Sequence, residues 1–427
     1  MSTAQPASSR PDGAPTPDDV AVVGAGMVGL ATAWFLQERG VRVTVYERDA
    51  VAAGASWGNA GWLTPSLAAP LPEPAVLRYG LRAVLSPSSP VYLPLQADRA
   101  LLRFLGSFLR NSTPGRWRRG MAALAPLDER ALQVFDVLAA GGVTAVTHAA
   151  DPFLACFRSV RSRDALVAEL RQIRSAGLSD VASTPLSGTE ARALEPGLTG
   201  EVQAALQLHG QRYLHPPEYL RSLAYSFRDR GGELLEGITV TDLRTEPRGV
   251  LVGTDRGPRR HDAVVVATGA GLTGLLRPFG VRQPVQAGRG YSFSVPVERM
   301  PAGPLYFPEQ RVACTPLGSR LRIAGMMEFR RPEAPLDERR VAAVVDAVRP
   351  LLRGLDLADR RNEWVGSRPC TGDGLPLIGP TRSPRVFAAG GHGMWGVTLG
   401  PVTGMALADV VTKGEVPPGL RPFDPLR

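Results

Sequence analysis

Three glycines and one glutamate near the amino terminus have the types and spacing of a dinucleotide site. Gly24, Gly26 and Gly29 form the pattern GxGxxG, and Glu47 follows 18 residues after the last of them. The first glycine allows a tight turn, the second lets the backbone approach a pyrophosphate, and the third lets a helix pack on a strand. A carboxylate at Glu47 would accept hydrogen bonds from the adenosine ribose, and it disfavours NADP because a 2′-phosphate would meet a like charge. These residues alone do not separate NAD from FAD.

A second glycine-rich turn lies near the carboxyl terminus, where Gly391 and Gly393 flank His392. Apolar spacing predicts that a helix follows over residues 397–411. The amino terminus of such a helix offers unpaired N–H groups and partial positive charge, which suit an anion. His392 has two interpretations: it is a hydrogen-bonding group beside a bound ring, or it fixes the turn.

The other reactive residue types form no metal or nucleophile pattern. None of the five histidines has HxxH or HxxxH spacing, and no Ser/His/Asp set is evident. Cys156, Cys314 and Cys370 lie far apart without a CxxC. We therefore predict no metal site and no disulfide framework, which fits a reducing cytosol.

The first glycine motif requires a strand, a helix and a second strand. Short-range patterns predict a strand over residues 20–23, a helix over 28–39 and a strand over 41–46. Three later segments favour FAD over NAD. The first is the small-residue loop 53–62, which lets the chain pass close to a long cofactor. The second is an apolar strand that ends in Ala267-Thr268-Gly269, more than 200 residues after the first motif, and the third is the carboxyl-terminal glycine turn with its helix.

The amino-acid composition excludes several classes of protein. The 427 residues are 44% hydrophobic and 21% charged, which indicates a soluble globular protein of two or three domains. The net charge of +9 is spread along the chain without interleaved aromatic residues, so we predict no nucleic-acid partner. Residues 1–17 lack a basic start followed by an apolar run, so they predict a disordered tail and no secretory signal.

These pieces together resemble the bacterial FAD-dependent D-amino acid dehydrogenases, within the superfamily of D-amino acid oxidase and glycine oxidase. The resemblance covers the chain after residue 17. Its carrying segments are residues 22–29, Ser56-Trp57-Gly58-Asn59-Ala60-Gly61, Leu194-Glu195-Pro196, Pro284-Val285, Gly290-Tyr291-Ser292, and residues 322–329, 366–379 and 390–393.

The resemblance implies an α/β fold with two discontinuous domains. A Rossmann-like FAD-binding domain would be built from residues 18–72, 213–285 and 375–427. An α+β substrate domain with an antiparallel sheet would be built from 73–212 and 286–374, with strands near 202–208, 290–295 and 320–326. The active site would lie at their junction.

The resemblance also assigns roles to particular residues. Arg368, in the segment Ser367-Arg368-Pro369, would grip the substrate carboxylate, Tyr291 would share that carboxylate, and His392 would lie beside the flavin. The predicted cofactor residues are Gly24, Gly26, Met27, Val28, Gly29, Glu47, Arg48, Ser56, Asn59, Ala60, Gly61, Val240, Ala267, Thr268, Gly269, Gly391, Gly393, Met394, Trp395, Gly396, Val397 and Thr398.

Some positions depart from the family pattern. The family often has proline where this chain has Gly372 and lysine where it has Arg289, and Cys370 is unusual. In the sarcosine oxidase branch a cysteine seven residues before the motif aspartate carries the flavin covalently. That position is Gly366 here, and Cys370 lies three residues before Asp373. We therefore predict non-covalent FAD.

The resulting hypothesis is an oxidoreductase that converts a D-amino acid, or a cyclic imino acid, to the imino acid by hydride transfer to flavin N5. Hydrolysis then yields the 2-oxo acid. The alternatives are a glycine- or sarcosine-type amine oxidase and a flavin-binding protein without turnover. The electron acceptor would be a quinone, another carrier or O₂. Substrate identity, enantiomer and oligomeric state are left open.

Residues 65–119 are rich in Pro, Leu and Arg and predict helices and loops over the substrate domain. They have two interpretations: a core-facing helix with solvated arginines, or a basic amphipathic surface that touches a membrane. The predicted location is accordingly cytoplasmic, with peripheral contact to the inner face of the membrane as the second interpretation.

Overall fold

The computed structural model describes residues 16–74, 89–93, 98–175 and 182–427. Most of the predicted amino-terminal tail and part of segment 65–119 lie outside these residues. The strands are β1 (Asp19–Val23), β2 (Arg42–Glu47), β3 (Trp62–Leu63), β4 (Val91–Tyr92), β5 (His148–Ala149), β6 (Phe153–Phe157), β7 (Ser183–Ser187), β8 (Ala204–Leu208), β9 (Arg212–Tyr213), β10 (Glu233–Glu236), β11 (Val240–Glu246), β12 (Gly249–Thr254), β13 (Arg259–His261), β14 (Ala263–Val266), β15 (Val285–Val295), β16 (Leu305–Phe307), β17 (Val312–Leu317), β18 (Arg320–Phe329), β19 (Arg361–Thr371), β20 (Leu377–Pro380) and β21 (Val386–Gly390).

The α-helices of the described residues carry the connections between these strands. They are α1 (Met27–Gln37), α2 (Arg99–Asn111), α3 (Pro114–Ala140), α4 (Val160–Ser175), α5 (Gly188–Leu194), α6 (Pro216–Asp229), α7 (Leu272–Leu276), α8 (Glu338–Val348) and α9 (Gly396–Lys413). Glycines in the left-handed region follow several of them, for example Gly40 after α1 with φ +76° and Gly414 after α9 with φ +78°. Such a residue after a helix lets the chain turn away, since only glycine adopts this conformation without steric cost.

A six-stranded sheet carries the first glycine motif. Its strand order is β10-β2-β1-β14-β21-β20, and all neighbours are parallel except β20 and β21. The β1–α1–β2 unit confirms the local prediction, with helix and strand limits shifted by two residues or fewer. Because the central strands are covered on both faces, their side chains are almost uniformly buried and apolar.

The second large sheet has the order β19-β15-β18-β17-β16-β6-β8-β7, with β4 added beside β18. Most neighbours are antiparallel, while β6–β16 and β4–β18 are parallel. One face packs on α8, whose Val341, Val344 and Val345 share a core with residues of β15 and β18. The predicted α/β class with a second, largely antiparallel sheet is therefore confirmed.

The two sheets do not have fully separate cores. Helix α3 lies within the segment predicted for the substrate domain, yet its Leu124 and Phe135 pack in the same core as α1 and α9. A small sheet in the order β3-β9-β5 also joins the cofactor loop to later segments. The predicted domain boundaries stay a prediction, and α3 is shared between the two layers.

Helix α9 is long and apolar enough to cross a membrane by length and composition. It packs against α1 inside the protein, where 67% of its most apolar window is buried.

Candidate active site

The first glycine turn is a tight cradle between β1, α1 and β14. Gly24 has φ +110°, and a Cβ added to it would lie 2.6 Å from the carbonyl oxygen of Ala267. A Cβ on Gly29 would lie 1.9 Å from the carbonyl oxygen of Gly24. Both positions therefore require glycine, as the sequence motif predicts, and they bring the end of β14 against the amino terminus of α1.

Glu47 is fixed at the carboxyl end of β2 beside this cradle. Its Oε2 accepts a hydrogen bond from the N–H of Ala25 at 2.7 Å, and its Oε1 accepts one from the N–H of Asp49 at 3.0 Å. A carboxylate has about four lone-pair sites, so acceptor capacity remains for ribose hydroxyls. The predicted neighbour Arg48 instead projects to solvent, where its guanidinium lies 3.2 Å from Asp49.

The small-residue loop after β2 closes over the amino terminus of α1. The hydroxyl of Ser56 accepts a hydrogen bond from the N–H of Met27 at 3.2 Å, and the side chain of Asn59 accepts one from the N–H of Gly61 at 2.8 Å. A Cβ on Gly26 would meet only this Ser56 hydroxyl, at 3.4 Å. The loop therefore shields the helix terminus on one side.

The end of β14 supplies an unsatisfied polar group to the same region. The hydroxyl of Thr268 is buried and has no hydrogen-bond partner among the described residues. A buried hydroxyl of this kind requires a partner, since leaving it unpaired costs about 1–3 kcal/mol. The other residues predicted to hold the cofactor here are half-buried: Val28 in the first turn of α1, Ala60 in the loop before β3, Val240 at the start of β11 and Gly269 in the turn after β14.

The second glycine turn leads into α9 beside α1. Gly391 has φ +78° and a Cβ on it would lie 2.8 Å from Thr371 Cγ2, while Gly393 has φ +56°. A Cβ on Gly400 of α9 would lie 2.7 Å from the side chain of Met27, the first residue of α1. The first turn of α1 therefore packs against the second turn of α9, and each helix keeps its own amino terminus available for an anion.

The side chains around the second turn hold it in place. The indole N–H of Trp395 donates to the carbonyl of Ala69 at 2.8 Å, and the hydroxyl of Thr398 donates to the carbonyl of Trp62 at 3.1 Å. Met394 and Gly396 are half-buried, and Val397 is buried.

His392 is buried and its Nε2 lies 2.9 Å from the hydroxyl of Thr403, about two turns into α9. Burial lowers its pKa from 6.5 to about 4, because the cationic imidazolium loses hydration. The neutral ring therefore ties the turn to α9. This contact favours the interpretation in which His392 fixes the turn.

Arg368 lies on β19 directly opposite Gly288 of β15. Its Nη1 donates to the carbonyl of Met326 at 2.8 Å, and a Cβ added to Gly290 would lie 2.2 Å from its Nη2. The guanidinium thus lies flat over a strand that has no side chain at this point. No salt bridge to Arg368 occurs within the described ranges, and its partial burial holds its pKa below the ordinary value. One edge of this cation is available for a carboxylate.

Trp364 is a wall residue that sequence reasoning missed. A Cβ on Gly366 would lie 1.7 Å from its ring, and a Cβ on Gly58 of the cofactor loop would lie 2.1 Å from it. The indole therefore fills the space between the loop after β2 and the strand that carries Arg368. A signal was present in the sequence, because residues 364, 366 and 368 share one face of a strand with period two.

Tyr291 does not lie with Arg368, and this corrects the expectation that it shares a substrate carboxylate. Gly288 and Gly290 face the side of Arg368, so by strand alternation Tyr291 faces the opposite side of the sheet. Its side chain is fully buried, and its hydroxyl donates to Glu328 at 2.6 Å. Burial and this carboxylate both raise its pKa.

Arg289 lies on that opposite face as well. It is fully buried and forms an ion pair with Glu328 at 2.8 Å. Because its charge is already balanced inside the core, it is a poor alternative to Arg368 as a substrate ligand.

Cys370 is buried, and a Cβ on Gly288 would lie 2.8 Å from its sulfur. Burial raises the pKa of its thiol to about 12, so the nucleophilic thiolate is disfavoured. In the part of the chain that the structure describes, no three His, Cys, Asp or Glu side chains form a group that could hold a metal ion.

A parallel sheet with a glycine cradle, beside a second sheet that presents a partly free arginine, defines a dinucleotide-linked oxidoreductase. The family model described as FAD dependent oxidoreductase matches residues 19–410, and the chain belongs to this family. The sequence-based resemblance and FAD as the cofactor are thereby confirmed. Non-covalent attachment of FAD stays a prediction.

Individual relatives agree with this assignment. A D-amino acid dehydrogenase of Cereibacter sphaeroides is 31% identical over 406 residues, which cover 93% of this chain and 92% of the relative. A D-amino acid dehydrogenase of Dechloromonas aromatica is 31% identical over 420 residues, covering 95% and 99%. The solved structure of glycine oxidase from Geobacillus kaustophilus matches with a TM-score of 0.72 and 25% identity, covering 96% and 98%. L-proline dehydrogenase from P. horikoshii shares the fold, with a TM-score of 0.67 and 19% identity over 97% and 98%.

Proposed function

We propose that this protein oxidises the Cα–N bond of a D-amino acid, or of a cyclic imino acid, to the imino acid. The observation that carries the proposal is the guanidinium of Arg368, which uses one edge for a hydrogen bond to the protein and leaves the other edge available. It lies on the face of the sheet where Trp364 contacts the cofactor loop. A planar guanidinium fork matches a carboxylate in geometry and charge. The D-amino acid dehydrogenases among the relatives support the same substrate class.

Residues of the cradle suit FAD. The turn from Gly24 to Gly29 would receive the pyrophosphate, Glu47 the ribose hydroxyls, and the unpaired hydroxyl of Thr268 a polar atom of the cofactor. The amino terminus of α9 would lie near the flavin ring. FAD, when bound, supplies the acceptor at flavin N5 for the hydride that leaves the substrate Cα.

The chain itself contributes binding and orientation. Arg368 would hold the carboxylate and so fix the direction of the Cα–H bond, which is the main requirement of such a transfer. Trp364 would close the space between loop and sheet and exclude water from that side. The substrate amine must be neutral when the hydride leaves, so a proton goes to solvent beforehand. An acyclic imino acid then takes up water and releases ammonia to give the 2-oxo acid, whereas a cyclic imine takes up water and opens to a 2-oxo acid that keeps its amine.

The test is an oxygen-free substrate panel scored by bleaching of the flavin absorbance. We expect bleaching by D-amino acids or by D-proline, and weaker bleaching by the L-enantiomers. Bleaching by glycine and sarcosine alone would instead support an amine oxidase of the glycine type, a second candidate that the similarity to glycine oxidase favours. If no amine bleaches an FAD-loaded protein, the proposed reaction is wrong.

The same experiment can be extended to identify the electron acceptor. The bleached protein is mixed with either O₂ or a water-soluble quinone, and the return of the flavin absorbance is timed. Fast recovery with quinone and slow recovery with O₂ would identify a dehydrogenase, and the reverse would identify an oxidase.

The face of α2 and the start of α3 supports contact with an anionic membrane. Leu102 and Leu109 are 62% and 56% exposed. The surrounding exposed arginines are Arg99, Arg103, Arg110, Arg118 and Arg119, and no acidic residue occurs between Arg99 and Leu127. Apolar side chains within a basic surface suit insertion among anionic headgroups. Flotation with phosphatidylglycerol vesicles but not phosphatidylcholine vesicles, lost in Leu102→Asp/Leu109→Asp, would support this contact. Equal flotation with both lipids would contradict it.

A further inference from the structure

Strand β18 contains a β-bulge beside the candidate substrate arginine. The register between β15 and β18 shifts between Arg289 and Tyr291, so Gly290 lies opposite two residues, Met326 and Met327. Met326 has φ +60°, in the left-handed region that a residue with a long side chain seldom adopts. Both methionines are buried. A conformation of this kind persists only where neighbouring contacts enforce it.

The bulge directs one backbone carbonyl at the guanidinium of Arg368. The carbonyl oxygen of Met326 accepts the hydrogen bond from Nη1 at 2.8 Å. On the adjacent strand, the bare Cα of Gly290 leaves the space in which the guanidinium lies. The orientation of Arg368 therefore depends on where the bulge places the carbonyl of Met326.

Arg340, at the start of α8, holds the other half of the bulge. Its Nη2 donates to the carbonyl of Met327 at 3.2 Å, and its Nη1 donates to the carbonyl of Ser89 at 2.6 Å. The N–H of Met327 donates to the carbonyl of Pro90 at 2.8 Å, so the N–H and the carbonyl of Met327 are both held. Arg340 is fully buried, which makes these contacts rigid and costly to lose.

We propose that Arg340 is a positioning residue for recognition of the substrate carboxylate. Arg340 fixes Met327 through a hydrogen bond. Met326, which precedes Met327 in the sequence, carries the carbonyl that orients Arg368. Each step from Arg340 to Arg368 is therefore a direct hydrogen bond or a covalent bond. The inference rests on the proposed role of Arg368 and adds a residue on another element that acts through it.

The variants are Arg340→Met, which removes the hydrogen bonds to Met327 and Ser89, and Arg340→Lys, which keeps the charge but replaces the planar guanidinium with a single ammonium group. Arg339→Met is the matched control, because Arg339 is the neighbouring residue of α8 but is 67% exposed and paired with Asp337. The readout is the Kd of benzoate, a carboxylate probe, measured by its perturbation of the oxidised flavin absorbance. Losing a positioning hydrogen bond predicts a loss of about three- to tenfold in Arg340→Met, a smaller loss in Arg340→Lys and none in the control.

Kinetics provide a second readout. We expect KM for an amino acid to rise in Arg340→Met with little change in kcat, and the rate with the decarboxylated amine to stay unchanged. A general loss of packing would lower both activities together and would overturn the proposal.

A double-mutant cycle separates positioning from a merely structural role. If Arg340 acts through Arg368, then adding Arg340→Met to Arg368→Ala leaves the benzoate Kd unchanged. The same fold-loss in both backgrounds would overturn the inference. If Arg340→Met does not fold, the cycle is run with Arg340→Lys, and an unchanged Kd in that variant overturns it too. A benzoate Kd that Arg368→Ala itself does not alter would instead refute the proposed function, so the two failures are distinguishable.

Discussion

Arg368 is partly buried, and one edge of its guanidinium is hydrogen-bonded to the protein. No acidic side chain among the described residues forms an ion pair with it. Truncating one partner of a buried charge pair typically costs roughly 2–5 kcal/mol. At about 1.4 kcal/mol per tenfold, this predicts a loss in kcat/KM on the order of thirtyfold to several thousandfold for Arg368→Ala with an amino acid. Arg368→Lys should lose less, because it keeps the charge but not the fork. The measurement is steady-state kinetics at normal FAD content, and a change within a few fold would contradict the assignment.

Gly290 gives an independent way to move the same guanidinium. A Cβ at this position would lie 2.2 to 2.6 Å from three atoms of Arg368, so Gly290→Ala must displace the side chain. We expect KM to rise about tenfold or more while flavin content stays normal, since a fully formed charged hydrogen bond contributes about 1.5–3 kcal/mol. Gly200→Ala is the control, because Gly200 is exposed, has no positive φ, and a Cβ there meets no atom within 4 Å. Equal KM values in both variants would show that Arg368 is not held against Gly290.

His392 predicts a pH dependence of stability. Its pKa of about 4 in the folded protein lies below the ordinary 6.5, so the unfolded chain takes up the proton first as the pH falls. The contribution of the neutral His392 ring to the free energy of unfolding is therefore complete above about pH 6.5 and is lost as the pH falls towards 4. At about 1.4 kcal/mol per pH unit it amounts to roughly 3 kcal/mol.

Denaturant unfolding of the parent and of His392→Gln at pH 7 and pH 4.5 measures this effect. The stability difference between the two proteins should shrink at the lower pH. A difference that is the same at both pH values would show that the ring is not buried in its neutral form.

At the scale of elements, we expect the backbone conformation of the turn before α9 to affect cofactor binding. Gly391 and Gly414 share φ +78°, but only Gly391 lies beside the candidate flavin site, with Thr371 Cγ2 at 2.8 Å from an added Cβ. An alanine in this conformation costs about 1–2 kcal/mol at either position. We expect Gly391→Ala to lower FAD affinity or the flavin midpoint potential, and Gly414→Ala to lower only the melting temperature. Normal FAD content and potential in Gly391→Ala would contradict this role of the turn.

The elements also show what could be read from the sequence. The β1–α1–β2 unit and α9 were predictable because their signals are local: a period, a glycine motif and a glycine after the helix. The face of Tyr291 was not, because alternation along β15 gives no direction until the pairing with β19 is known. Met326 is a further example, since no local signal places a left-handed methionine in a strand. The role of Trp364 was not predictable either, because it depends on a contact with Gly58, which is distant in the sequence.

At the scale of the whole molecule, three separate chain segments supply the six-stranded sheet, and α3 and the small β3-β9-β5 sheet link it to the larger one. The candidate substrate arginine and the cofactor cradle therefore belong to different layers that share packing. Any ligand that binds the folded state alone stabilises it by mass action, by about 2.7 kcal/mol at a concentration one hundred times Kd. We therefore expect FAD to raise the melting temperature of the whole protein.

The burial of the cysteines supports the prediction that FAD is bound without a covalent bond. Covalent attachment through sulfur needs an accessible thiolate, but Cys370 is 1% exposed, and burial raises its pKa to about 12. Cys156 and Cys314 are buried as well. The purified protein should therefore be yellow, and acid precipitation should leave the flavin in the supernatant as FAD, identified by chromatography. Cys370→Ser should bind FAD with the same stoichiometry as the parent. Flavin that stays with the precipitate would refute non-covalent binding, and a colourless protein that FAD cannot reconstitute would overturn the functional proposal itself.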